Sequence, residues 1–128
     1  MFVRFVIEDL DSHSGKRQGL FQAAKALRES GVLSAADHER LEAIRGWFNQ
    51  NLDRPTRLAV SSKPHAKEQA LSWFRDSATL HIAKMREFQE VLERYGLRTQ
   101  MITARRLGYV FYEDEFQVAS YPFNDTPA

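Results

Sequence analysis

From about Pro64 to Tyr95 the chain carries apolar residues at alternating spacings of three and four: Leu71, Phe74, Ala78, His81, Met85, Phe88, Leu92 and Tyr95. That spacing lines one face of an α-helix. Gly96 supplies a C-terminal stop, and the pattern then changes to a period of two, the signature of strands. A long amphipathic helix followed by alternating segments constrains the fold to α+β, with helix laid on sheet. Length adds a second constraint. About thirty helical residues span ~45 Å. A domain of 128 residues has a radius of gyration of ~14 Å and is therefore roughly 36 Å across. The helix must break or project. Asp76-Ser77 is the expected break, because both residue types favour caps over helix interiors.

The rest of the chain supplies further elements. Phe2 to Ile7 reads as a strand with Val3, Phe5 and Ile7 on one face and Phe2, Arg4 and Val6 on the other. Asp9 to Gln18 reads as a polar loop. Leu20, Ala23, Ala24 and Leu27 give a helix from about Gly19 to Ser30, stopped by Gly31. Ser34 and Asp37 look like an N-cap and a first-turn acid. The helix they open carries Leu41, Ile44, Trp47 and Phe48 to about Asn51, and Asp53-Arg54-Pro55 ends it. Arg98 to Ala104 reads as a strand. Tyr109 to Tyr112 and Phe116 to Tyr121 read as a hairpin around Glu113-Asp114-Glu115, a turn without Gly or Asn. The predicted order is β-α-α-α-β-β-β, with the helices packed on one face of a mainly antiparallel four-stranded sheet. One α+β domain over 1–122 is expected, followed by a C-terminal tail over 123–128.

Eighteen Lys and Arg against 17 Asp and Glu give a formal charge of +1. Net charge therefore points to no partner, and any electrostatic function must come from local clustering. The absence of cysteine excludes disulfides, thiolate zinc sites, Fe–S clusters and cysteine nucleophiles. No run approaches the ~20 apolar residues of a membrane span, and the charged N-terminal run is too short for a signal peptide. A cytoplasmic protein that engages no membrane is the expectation.

Trp47-Phe48 with Asn51-Leu52, Pro55 with Arg57, Trp73-Phe74-Arg75-Asp76 and the run Gly108 to Val118, together with Arg17-Gln18-Gly19, resemble a family of small bacterial proteins of unknown function. The likeness covers nearly the whole chain. It implies a bacterial setting and no chemistry.

Several groups of residues are candidates for a site. The loop Ser12 to Gly19 follows a strand and leads into a helix. Its glycines, Lys16 and Arg17, and the helix N-terminus at Gly19 together suit an anion. It is not a Walker A loop, since Leu10 stands where the first glycine belongs and Arg17 stands where Ser or Thr belongs. Arg57, Arg105 and Arg106 add basic residues, with Tyr109, Tyr112 and Tyr121 close in sequence, a combination that suits single-stranded nucleic acid. Arg4, in a central strand, must either pair with a carboxylate such as Glu113 or Glu115 or face a ligand pocket. Trp73 and Leu80 lie off the main helical stripe and would form an interface if exposed. Glu113-Asp114-Glu115 alternates sides and does not converge on a cation. The histidines, His13, His38, His65 and His81, form no metal motif, and His81 reads as a hydrogen-bonded core residue. No cofactor or metal motif is present.

The sequence therefore points to a small binding module for a phosphate-bearing or other anionic ligand, a nucleotide or a nucleic acid. The alternatives are a protein–protein or homo-oligomeric module and an enzyme without a recognisable motif.

Overall fold

A computed structural model describes residues 1–10, 15–54 and 70–123. Arg57, Pro64, His13, His65, the 12–14 part of the expected anion loop and the 124–128 part of the expected tail lie outside the described residues. The elements are β1 (Phe2–Leu10), β2 (Arg17–Gly19), α1 (Leu20–Ser30), α2 (Ala35–Asn51), β3 (Leu71–Arg75), α3 (Thr79–Arg94), β4 (Thr99–Ala104), β5 (Tyr109–Glu113) and β6 (Gln117–Tyr121). The α+β class matches the sequence reading, and the three helices of the described residues lie on one sheet face as expected. The sheet has six antiparallel strands rather than four.

Two differences account for the extra strands. Arg17–Gly19, read as the end of a loop, pairs with β1. Leu71–Arg75, read as the first turns of a long helix, is a strand between β1 and β6. Leu71 and Phe74 fit a helical stripe, but Leu71 and Trp73 alternate equally well as a strand, and a run this short satisfies both periods. The chain turns at Asp76-Ser77, the expected break. Among the described residues of this stretch, the part beyond it is helical, with His81, Met85, Phe88, Val91 and Leu92 buried. The length conflict disappears, because 16 helical residues span only ~24 Å.

The other elements start and stop as their residues dictate. The Ser34 hydroxyl accepts from the Asp37 N–H at 3.1 Å and caps α2. Gly31 takes the left-handed conformation that ends α1. The β5–β6 turn needs no glycine, because the Asp114 carboxylate organises it. One oxygen accepts from the N–H groups of Phe116 and Gln117 at 2.8 and 3.0 Å. The other accepts from the Tyr112 hydroxyl at 2.9 Å and from Gln117 Nε2 at 3.0 Å. This is an Asx turn reinforced from both strands.

The sheet has two buried faces. Val3, Phe5, Ile7 and Phe74 pack under α1, α2 and α3 in the larger core. Val6, Leu71, Trp73, Ile102, Ala104, Leu107 and Val118 form a second core on the opposite face. Strand connectivity explains how that second face is buried. The lateral order is β4-β1-β3-β6-β5, so the four residues 105–108 join the two edge strands. In a flat sheet Ala104 and Tyr109 would stand ~25 Å apart, from four strand spacings of ~4.8 Å and an offset of about five residues along the strands. Five peptide units reach at most ~18 Å. The sheet must therefore curl, and its concave side encloses the second core. Leu107 plugs that side, and its carbonyl accepts from the buried Ser120 hydroxyl at 2.8 Å.

β1 carries three partners. β4 fills one edge from Phe2 to Ile7. Val3 and Val6 also pair with Phe74 and Gly19 respectively, so β3 and β2 share the other edge, one after the other. Among the described residues, Arg4 and Phe5 between them are paired with β4 alone. The sheet is forked there, and the fork positions the candidate site.

Candidate functional site

A cavity of about 510 Å³ opens at the fork. Arg4 and Phe5 of β1 border it, with Gly19 and Leu20 where β2 becomes α1, and Leu71 to Phe74 of the diverging β3. Each element is there for a local reason. β2 is only three residues long and gives way to the helix at Gly19. β3 leaves β1 after Val3 because Leu71 and Trp73 follow the inner face toward Val118. The first turn of α1 is thereby directed into the gap. Its Gly19 N-cap provides no side-chain acceptor and its first turn has no acidic residue, so the orphan N–H groups and the positive helix end are left for another acceptor.

The walls combine aromatic rings with basic groups. Phe21, Phe48, Phe74 and Phe88 supply the aromatic surface, with Leu41 and Met85. Among the described residues of the wall the basic ones are Arg4, Lys25, Arg28, Arg45 and Arg54, against a single acidic one, Asp53. Glu42, just behind the wall, accepts from Arg28 at 2.6 Å and lies 3.6 Å from Arg45. The Arg28 hydrogen bond, against the opposing pull of burial, holds the Glu42 carboxyl below its usual range. Arg4 is buried at 8% exposure, and its Nη2 donates to the Arg17 carbonyl at 2.8 Å. Trp73, 1% exposed, borders the cavity, and its indole N–H has no hydrogen-bond partner among the described residues. Gln117 closes the far side and donates to the Asp53 carbonyl and to Asp114.

The structure separates most of the residues singled out from sequence. Lys16 and Arg17 are half-buried and border no part of this cavity. Arg17 instead reaches across β1 to donate to Gln100 at 2.8 Å. Gly19 does border it. Arg105 and Arg106 are exposed on the β4–β5 connection, and the Arg106 guanidinium lies 4.9 Å from the Phe123 ring centroid. Ala104 is paired with Phe2 and Arg17 with Leu10, at opposite ends of β1 and ~26 Å apart along it. The two basic loops are thus not one anion site. Arg4 takes its place on the cavity wall, while Glu113, one of its expected partners, is engaged by Arg75 at 2.9 Å.

Trp73 and Leu80 do not share a helix face. Trp73 is buried on β3, and Leu80 is 71% exposed on α3. The exposed tyrosine patch is also reduced, since Tyr112 is half-buried and bonded to Asp114. His81 is a core residue, 4% exposed, with Nε2 2.8 Å from the Asn51 carbonyl oxygen and its ring 4.4 Å from that of Phe116. Among the described residues no group of three or more His, Asp or Glu is placed to hold a metal ion. No helix there is long and apolar enough to cross a membrane.

Sequence reasoning missed Phe21, Phe48 and Phe88 as site residues. Phe21 carried a usable signal, being an aromatic one position off the apolar stripe of α1, in its first turn. A second cavity of about 580 Å³ lies between the end of α2 and the start of α3, bordered by Asp53, Asp114 and Glu115. The Asp114 carboxylate is engaged in the β5–β6 turn, and the start of α3 on the other wall has no side-chain cap. No protein-family model, curated protein or solved structure significantly matches this chain.

Proposed function

We propose that this protein is a small binding module whose ligand is an anion held in the cavity at the fork of the sheet. One observation carries this reading. The polar groups that converge on the cavity are predominantly donors and cations, namely the uncapped start of α1, Arg4 and the basic rim, and they surround an apolar interior. Such a site favours an acceptor-rich, negatively charged ligand with an apolar part.

A thermal-shift screen tests it, using inorganic phosphate, nucleotides, short RNA and DNA, and organic acids. A ligand of the folded state stabilises by mass action, about 2.7 kcal/mol at a hundredfold excess over Kd. The sequence has two tryptophans, so Trp47→Phe leaves Trp73 as a fluorescence reporter beside the cavity. Binding should move Trp73 emission, weaken in Arg4→Met and be indifferent to Arg105→Ala with Arg106→Ala. If no anion changes either the melting temperature or the emission, the reading fails.

A protein–protein role is the second reading. It is supported by Tyr109 and Val110, 47% and 42% exposed on the edge strand β5, and by Leu80. Sizing across a concentration series tests self-association.

A further inference from the structure

We propose that the outer edge of β4 takes up, as a further strand, an extended peptide segment whose neutral middle is flanked by acidic residues. The inference goes beyond the cavity and does not rest on it. β4 pairs with β1 from Phe2–Ala104 to Ile7–Thr99 without a register shift, and among the described residues no strand pairs with its other side. The backbone groups offered there follow from β1. The Asp76 N–H donates to the Met1 carbonyl at 3.3 Å, and Val3 stands opposite Phe74 in the same register. Bonded and non-bonded pairs alternate along an antiparallel ladder. Met1 and Val3 therefore turn their backbone groups to β3, while Phe2, Arg4 and Val6 turn theirs to β4. Ala104, Ile102 and Gln100, their partners, bond inward. Thr99, Met101 and Thr103 present N–H and C=O to the open side, over ~14 Å of strand. The usual guards of an edge are missing. Thr99 to Ala104 contains no proline and no charge, and Gln100, Met101 and Thr103 are exposed. The other edges are less suited, since β5 has a register shift between Val110 and Tyr112 and β2 is three residues long.

Charge selects the occupant. Arg98 precedes β4 and Arg105 follows it, both exposed and ~24 Å apart along the strand. Arg86 of α3 lies alongside, its Nη2 3.6 Å from Met101 Sδ. Among the described residues none of these three arginines forms an ion pair. Glu93, which accepts from the Thr99 hydroxyl at 2.7 Å, and Glu8, one residue past the last β1–β4 pair, offset them only in part. A neutral strand with a cation at each end complements a neutral peptide with an acid at each end. A second copy fits poorly, because antiparallel pairing of two β4 edges about Met101 would bring Arg98 of one copy beside Arg105 of the other. A nucleic-acid backbone fits poorly too, because phosphates accept but cannot donate to the outward carbonyls. A peptide supplies both groups at the strand repeat.

Fluorescence anisotropy with the full chain tests this at physiological ionic strength. The probe is a fluorescein-labelled peptide with paired glutamates on either side of Thr-Val-Thr-Val-Thr. Its controls are the same peptide with lysines for the glutamates, one with proline for the central threonine, and a labelled oligothymidylate. The expected result is saturable binding of the acidic peptide, at least tenfold tighter than each control. Arg98→Glu with Arg105→Glu should weaken it at least tenfold and reverse the preference between the two charged peptides. Met101→Pro removes an outward N–H and no bond to β1, and should also weaken it at least tenfold. Thr103→Pro serves where that variant does not fold by circular dichroism. A proline peptide that binds as tightly as its parent reveals charge attraction without strand addition and overturns the proposal. Oligothymidylate binding of equal strength overturns the choice of a peptide. Self-association that Met101→Pro abolishes overturns it in favour of a second copy. No binding by the acidic peptide overturns it outright and leaves the cavity reading untouched.

Discussion

Asp114 organises the β5–β6 turn, and its removal can be costed from its contacts. Asp114→Ala deletes the acceptor of four hydrogen bonds, from the Phe116 and Gln117 N–H groups, the Tyr112 hydroxyl and Gln117 Nε2. The turn is only half-buried, so water re-solvates the backbone donors and the tyrosine, and each of these costs little. Gln117 is 3% exposed and cannot be re-solvated as easily. Hydrogen bonds to charged groups contribute about 1.5–3 kcal/mol each, and neutral ones about 1. Discounting for exposure, the loss is about 3 kcal/mol, or a fall of about 12 °C in Tm for a chain of this size. Asp114→Asn keeps the oxygen that serves the two backbone donors. It turns an amide toward Gln117 Nε2, a donor against a donor, and should cost about 1 kcal/mol. Burial raises the Asp114 pKa, but the hydrogen bonds from Gln117, Phe116 and Tyr112 outweigh it and hold the carboxyl below its ordinary value of 3.8. A lowered folded-state pKa contributes stability above the unfolded value, and that stability is lost as pH falls through the folded one. The gap between wild type and Asp114→Asn should be flat from about pH 7 to 5 and close below about pH 4. Urea unfolding at a series of pH values measures both. An Asp114→Ala variant within about 0.5 kcal/mol of wild type, or a gap that widens in acid, would refute the account.

Two further substitutions probe the backbone and the helix start. Gly108 has φ 102°, and a Cβ there would stand 2.1 Å from the Tyr121 carbonyl oxygen. Gly108→Ala should cost at least about 4 kcal/mol or prevent folding. Gly15→Ala, also at positive φ but with no atom within 4 Å, should cost about 1 kcal/mol. Equal Tm values for the two would show that the clash is not what constrains Gly108. Ser34→Ala removes the α2 cap and should cost about 1 kcal/mol by chemical denaturation, while Ser34→Asp should restore most of it.

How much of this was legible in the sequence depended on whether one local pattern had one solution. α1 and α2 did. Leu20, Ala23 and Ala24, then Leu41, Ile44 and Phe48, recur only at helical spacing, and Gly31 and Ser34 mark the ends. β1 and the β5–β6 hairpin were legible as strands, β1 from a short run apolar on both faces. Leu71 to Arg75 was not, because five residues can satisfy a period of two and a period of 3.6 together. What decided the matter was non-local. The edge of β6 from Gln117 to Ser120 needs a partner on the side away from β5, and Leu71–Arg75 provides it. No property of residues 71–75 taken alone reveals that demand.

The candidate site was less legible still, for a reason that follows from the fork. Anion-site reasoning from sequence looks for basic residues near a helix start, and Lys16 and Arg17 stand beside Gly19. The helix start does face the cavity. Side chains alternate across a strand, however, and with Arg17–Gly19 paired as β2, Arg17 is directed over β1 to Gln100 and away from α1. The charge reaches the cavity from Arg4 instead, 15 residues earlier than Gly19, because among the described residues β4 alone pairs with β1 at Arg4 and Phe5. An arginine in a central strand is an anomaly on sequence alone, yet its meaning depends on which edge of β1 goes unfilled. That edge is set by the curl of the sheet. The four residues 105–108 force β4 and β5 toward each other, and the strands between them must coil to permit it. A continuous pairing of β3 along β1 would bring Trp73 opposite Arg4 and close the gap. On this argument the cavity is a consequence of a short connection on the far side of the sheet. Lengthening that connection should relax the curl and change the cavity without touching any residue that lines it.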